Sequence, residues 1–272
     1  MARVGVVVPA RNEERRLPLT LSLLLRQRGV EIAEVVVVDD GSTDRTAEVA
    51  ESHGAVVVRT GRARGPGLAG TPHMARVINL GLRQLAEVDT DYTVILGADH
   101  LLPPSYLREI TRRMRRDGVV VASGVIAGER VGKEIDVRGS GRVVLTPWFR
   151  DVGYAYPENW GFEAWLVYKA LSMGLGVKVY RDLVTWTQRR TAASALRYHY
   201  WGRGMRALGY HPLYSLARAV SVGLRSPEKA VHLLAGYISG SPDKCEDVAS
   251  FVRSYQARLL VSSVLAALTR LR

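Results

Sequence analysis

Four consecutive valines, Val35, Val36, Val37 and Val38, run directly into the acidic pair Asp39-Asp40, and this feature constrains the fold more than any other. A strand that is apolar at every position buries both of its faces, which happens where helices cover a parallel sheet on both sides. The same signature recurs at residues 4–8, 55–58, 92–96 and 119–125. Between these runs the apolar residues switch to helical spacing, at about 13–28, 43–53, 73–86 and 104–116. Such alternation predicts an α/β fold with a mostly parallel central sheet flanked by helices. Ligands of these sheets bind beyond the carboxyl ends of the strands, where strand order reverses. The polar residues that end each strand are therefore the first to inspect.

Residues 126–160 are punctuated by Gly, Arg and Pro among the aromatics Trp148, Phe149, Tyr154, Tyr156 and Trp160, and they read as irregular structure. A helix at 163–173 and a strand at 177–180 follow. From Thr191 the pattern is helical, broken at Gly209, Pro212 and Pro227. The expected division is an α/β domain over 1–190 and a helical C-terminal extension over 191–272. A length of 272 residues suits one large domain with such an appendage.

The single Cys245 excludes an intrachain disulfide and a cysteine zinc cluster, which suits a cytoplasmic location. No apolar run approaches the roughly 20 residues that span a bilayer. The formal net charge of +12 attracts polyanions such as anionic lipid or phosphorylated substrates. No nucleic-acid-binding module accompanies it, so nucleic acid is not an expected partner. The final stretch, 255–272, alternates Leu/Val clusters with Arg258, Arg270 and Arg272. A basic amphipathic helix of this kind predicts peripheral contact with the cytosolic face of a membrane.

The first strand ends in Pro9-Ala10-Arg11-Asn12-Glu13, and the second in Asp39-Asp40-Gly41-Ser42-Thr43-Asp44. A carboxylate at a strand end can accept hydrogen bonds from a nucleobase edge or from ribose hydroxyls. Gly41 permits a tight turn, and Ser42 is expected to cap the next helix. In this order and spacing the two segments resemble family 2 inverting glycosyltransferases, which have the GT-A fold and use nucleotide-diphospho-sugar donors. The resemblance covers about two-thirds of the chain.

It implies donor binding by Pro9, Ala10, Asn12, Glu13, Asp39 and Asp40, with Ala98 and Asp99 at the end of the fourth strand. There the family has an Asp-x-Asp element, whose first position is Gly97 in this chain. Asp99 aligns with the ligand of a divalent metal, Mg²⁺ or Mn²⁺, and His100 is an auxiliary candidate. The basic loop containing Arg64, and the helix carrying Arg76 and Asn79, would face the donor diphosphate. Glu163 takes the place of the catalytic base, with Phe162 where the family has another acid; Glu158 and Asp151 stand in reserve. Thr185-Trp186-Thr187 lacks the histidine that family members often carry there. Arg197 and Arg203 are further phosphate candidates. The implied reaction moves a hexose from a UDP- or GDP-sugar to an acceptor hydroxyl, a glycan or a polyprenyl phosphate, with inversion. The departures at Gly97 and Phe162 leave open a non-catalytic nucleotide-sugar-binding protein of the same fold.

Overall fold

Strand β1 (Ala2–Ala10) lies between β2 (Val30–Asp39) and β4 (Tyr92–Ile95), parallel to both. This description comes from a computed structural model covering residues 1–61, 70–129, 132, 134–189, 193–240 and 242–269. Arg64, Arg270 and Arg272 lie outside the described residues. Strand β3 (Val56–Arg59) forms the edge beyond β2, again parallel. The chain thus builds outward from β1 to β3, then returns to the other side of β1 as β4. Strand order reverses at β1, which opens a crevice at the carboxyl ends of β1 and β4.

Beyond β4 the sheet becomes mixed. β7 (Arg142–Leu145) pairs antiparallel with β4 and with β6 (Val119–Ile126), while β8 (Gly176–Thr187) runs parallel to β6 and antiparallel to β5 (His100–Leu101). The complete order is β3-β2-β1-β4-β7-β6-β8-β5. β8 is far longer than the four residues its apolar pattern predicts. A register shift between Ser123 and Val125 on β6 accompanies exposed Arg181 and Asp182 on β8, and these interrupt the apolar run.

The helices flanking the parallel half are α1 (Leu17–Leu25), α2 (Thr46–Ser52) and α3 (Pro72–Leu85), with α4 (Tyr106–Asp117) before β6. Val4, Val6, Val8, Val35 and Val37 bury one face of the sheet in a core shared with Leu17, Leu21 and Leu24. On the opposite face a Cβ at Gly81 would stand 2.5 Å from Val7 and 2.9 Å from Val38, so α3 rests directly on β1 and β2. Burial on both faces is the physical origin of the uninterrupted valine runs. The short α5 (Thr146–Asp151) follows β7.

The chain forms two compact units. The first comprises Met1–Leu68, Arg76–Tyr156 and Gly174–Arg190, and holds the sheet. The second comprises Ala69–Ala75, Pro157–Met173 and Thr191–Arg272. It contains α6 (Phe162–Ser172) together with α7 (Ala195–Ala207), α8 (Pro212–Gly223), α9 (Pro227–Ser239) and α10 (Glu246–Thr269). Within it, Cβ atoms at Gly202 and Gly236 would lie 2.1 Å from the Leu233 carbonyl and 2.0 Å from the His199 carbonyl. α7 and α9 therefore touch backbone to backbone, as only glycine permits. Among the described residues no helix is long and apolar enough to cross a membrane.

Candidate functional site

The ends of β1 and β2 are tied together by side chains that satisfy backbone amides. The Asp40 N–H donates to the Ala10 carbonyl at 2.9 Å, which extends the pairing of the two strands past their ends. Asn12 then turns into the left-handed region at φ 54°, and its Oδ1 accepts the Thr43 N–H at 2.8 Å. The Asn12 N–H donates to Ser42 Oγ at 3.0 Å. Ser42 therefore braces the neighbouring strand end and does not cap α2, contrary to the sequence expectation. α2 has Arg45 at its N-cap and no side-chain cap; Asp44, just before it, accepts the N–H of Thr46 at 3.0 Å and that of Glu14 at 3.2 Å. α2 consequently begins at Thr46, after the residues consumed by this turn. Asp39 is spent in the same way, its Oδ1 accepting the Ser42 N–H at 3.0 Å. Asp40 is buried and accepts the Thr60 hydroxyl at 2.9 Å.

A second corner forms where β4 ends and β8 returns. The antiparallel pairing of β5 with β8 sets His100 opposite Thr187, and the Gln188 N–H donates to the Asp99 carbonyl at 2.9 Å. The next residue, Arg189, reaches both nearby carboxylates. Its Nε lies 2.8 Å from Asp99 Oδ2, and Nη2 lies 2.6 Å from Glu13 Oε1. Glu13 is almost wholly buried and also pairs with Arg16 at 3.2 Å. Its own N–H donates to Thr46 Oγ1 at 2.8 Å, so Glu13 joins the two corners.

Gly97, at the position of the missing first acid, is packed tightly against Ser140. Its N–H donates to Ser140 Oγ at 2.8 Å, and a Cβ there would meet that same oxygen at 3.0 Å. His100 is turned into the core, with Nδ1 2.6 Å from Ser140 Oγ and its ring against Gly141. Burial, helped by the Arg138 charge, lowers its pKa to about 4 and keeps it neutral. It is a core histidine, not a companion to Asp99. Among the described residues no group of three His, Cys, Asp or Glu is placed to hold a metal ion.

Asn79 is buried and gives both ends of its amide to the backbone of Tyr156, each at 2.8 Å. That geometry fixes the loop after α5 and leaves little of the amide for a ligand. Arg76 is exposed on α3, and Arg64 falls outside the described residues. In the second unit, Gly161 adopts φ 77° and starts α6, placing Glu163 in the first turn, partly exposed. Phe162 is buried. Trp165 Nε1 donates to the Asp247 carboxylate at 3.1 Å and Lys169 pairs with it at 2.9 Å, anchoring α6 to α10. Arg203 lies over the Trp160 ring at 4.4 Å, a packing role that its sequence position did not signal.

A mixed sheet whose order reverses at β1, with carboxylates at the ends of β1, β2 and β4, is the architecture of the GT-A sugar-nucleotide enzymes. Residues 5–168 match the profile of Glycosyl transferase family 2, well over half of the chain, and the protein belongs to that family. Among solved structures it is similar to the mannosyltransferase PcManGT from Pyrobaculum calidifontis in complex with GDP-Man and Mn²⁺. That likeness has a TM-score of 0.60 at 19% identity, covering 98% of this chain and 81% of the other. It is also similar to S. aureus TarS 1–349 in complex with UDP, with a TM-score of 0.55 at 19% identity over 88% and 72% of the two chains. A curated relative, 4,4'-diaponeurosporenoate glycosyltransferase of Staphylococcus aureus (strain USA300), is 47% identical over 53 residues. That stretch spans 20% of this chain and only 14% of the relative.

Proposed function

We propose that this protein transfers a hexose from a UDP- or GDP-sugar to an acceptor hydroxyl or lipid phosphate, with inversion at the anomeric carbon. The observation that carries this reading is the gathering of Asp39, Asp40, Glu13 and Asp99 at the strand ends flanking the order reversal at β1. Asp40, buried beside Thr60, is assigned to the nucleoside. Pro9, Ala10 and Ala98 supply the backbone that lines its approach, and Asn12 and Asp39 hold the turn in shape. Residues 1–190 are proposed as the catalytic domain, with Glu163 as the base.

In the transfer step Glu163 removes the proton from the acceptor hydroxyl as its oxygen attacks the anomeric carbon. The bond to the donor's β-phosphate oxygen breaks on the opposite face, and the nucleoside diphosphate leaves with the electron pair. Glu163 has no hydrogen-bond or ion-pair partner among the described residues, which suits a group that must accept a proton. A divalent metal is expected from the relatives, yet the residues present fit one poorly. Asp99 is engaged by Arg189, position 97 offers no carboxylate and stands tight against Ser140, and His100 faces the core. The steps above are therefore assigned to the chain's own groups.

Glu163→Gln is expected to leave nucleotide affinity intact while cutting turnover by about 10²–10⁴-fold, the range for losing a general base. Unchanged turnover would move the base to Glu158 or Asp151. A parent protein that binds donors but turns none over would favour the non-catalytic reading, consistent with the buried Phe162.

We further propose peripheral attachment to an anionic membrane surface through the helical extension, where α8 adds an apolar stripe to the expected contact at 255–272. Leu213, Leu216, Val220 and Leu224 recur at helical spacing, and each is more than half exposed. Arg225 follows in the turn before α9, supplying charge that complements anionic headgroups. The full chain should float with phosphatidylcholine–phosphatidylserine vesicles at low salt, less so at high salt. Leu216→Glu combined with Val220→Glu should stay at the bottom. A parent chain that never floats ends the membrane assignment, and self-association through α8 would assign the stripe to a second copy.

A further inference from the structure

We propose that Arg189 is the cation that receives the donor diphosphate in this chain, in the place where a divalent metal would otherwise stand. The inference rests on the nucleotide-sugar reading above and names the group that meets its phosphates.

Three observations lead to it. The first is geometric. The pairing of β5 with β8 and the bond from the Gln188 N–H to the Asp99 carbonyl fix the backbone beside Asp99. Gln188 is itself pinned, its Nε2 donating to the Arg16 carbonyl at 2.8 Å and to Thr20 Oγ1 at 3.1 Å. Arg189 therefore projects from an anchored segment. The second is chemical. A guanidinium has five N–H donors in a rigid fork. Asp99 and Glu13 lie at ion-pair distance, nearest to Nε and Nη2, and two such pairs do not saturate five donors, so the fork keeps N–H groups for phosphate oxygens while both carboxylates stay neutralised. The side chain is half exposed, so those donors are reachable from solvent. The third concerns the alternative. Asp99 and Glu13 both lie against the guanidinium, position 97 is a glycine with no ligating atom, and no third ligand is assembled among the described residues.

Charge balance supports the same conclusion. Glu13 and Asp99 are matched by Arg16 and Arg189, which leaves the corner near neutral before donor enters. A diphosphate meets an oriented set of donors and no excess of carboxylate. As the glycosidic bond breaks, negative charge grows on the β-phosphate, and a preorganised fork stabilises it without first having to move into place.

The test is isothermal titration of the full-length protein with UDP and with GDP, in excess EDTA and again with Mn²⁺. One of the two nucleotides should bind the parent in EDTA with an affinity within about threefold of that in Mn²⁺, a difference below about 1 kcal/mol. Arg189→Met should weaken that binding about 10–100-fold, the value of one or two charge-assisted hydrogen bonds. Arg189→Lys keeps the charge without the fork and should fall between the two, which guards against reading a folding defect as a binding defect. UMP or GMP, which lack the β-phosphate, should lose less on Arg189→Met. Binding that appears only with Mn²⁺ overturns the inference and leaves the donor reading standing, as does Arg189→Met binding like the parent. If no nucleotide binds under any condition, both readings fall.

Discussion

The two corners of the strand-end crevice use the same side-chain chemistry for opposite purposes. At the ends of β1 and β2, the carboxylates of Asp39 and Asp44 and the amide of Asn12 accept from backbone N–H groups. Beyond the ends of β4 and β8, Asp99, together with Glu13 from the end of β1, forms ion pairs with a half-exposed guanidinium. The first arrangement replaces water on amides that would otherwise lack partners in a tight turn, so its worth is structural. The second sets a half-exposed guanidinium against two largely buried carboxylates, an arrangement whose attraction is offset by desolvation, and its worth lies in holding an oriented cation. Acidic residues of similar placement therefore divide into those that build the crevice and those that arrange charge within it.

Asp40 is where this division is tested most severely. It belongs to the first corner by position, yet its carboxylate meets a hydroxyl, that of Thr60, where its neighbours meet backbone amides. Asp40→Ala should weaken UDP or GDP binding by about 10–100-fold, with or without metal, if it reads the nucleoside through charge-assisted hydrogen bonds. Calorimetry on a variant that melts within a few degrees of the parent checks this. Parental affinity would place Asp40 with the purely structural carboxylates.

Much of the first corner was legible in the sequence and much of the second was not. Valine runs ending in Asn12-Glu13 and Asp39-Asp40 announce parallel strands with polar ends, because double-faced burial and strand-end exposure both leave local patterns. What Ser42 does was missed, since its partner Asn12 is 30 residues away and only the pairing of β1 with β2 brings them together. β7 was missed because it lies inside the stretch 126–160, which Gly, Arg and Pro make read as irregular, and β5 because two residues carry no periodicity to read. Arg189 went unassigned for the same reason of distance. Its position in Gln188-Arg189, just after the last strand and the Thr185-Trp186-Thr187 stretch where a histidine was sought, was the available signal. Nothing local says that this segment returns beside Asp99. The membership of α6 in the second unit likewise follows from Trp165 and Lys169 meeting Asp247, a contact across some eighty residues of chain.

The smallest effect sharpens the comparison by measuring stability at both corners. Asp44→Ala removes the acceptor for the Thr46 and Glu14 amides and should cost about 1–3 kcal/mol. Asp99→Asn only loosens a pair whose arginine is half exposed, and should cost less than about 1 kcal/mol. Acid adds a second handle on Asp44. Burial acts to raise its pKa, but hydrogen bonds from the Thr46 hydroxyl and from the Glu14 and Thr46 amides outweigh it, and the folded value lies below the ordinary 3.8. A lowered folded pKa means that its contribution is complete above the unfolded value and is lost as pH falls through the folded one. Urea melts of the parent and Asp44→Ala should therefore differ most at neutral pH and converge only in strong acid. The Asp99→Asn melt should follow the parent at neutral pH. Equal destabilisation by both substitutions would show that the two corners are one structural unit, and the distinction between them would have to be given up.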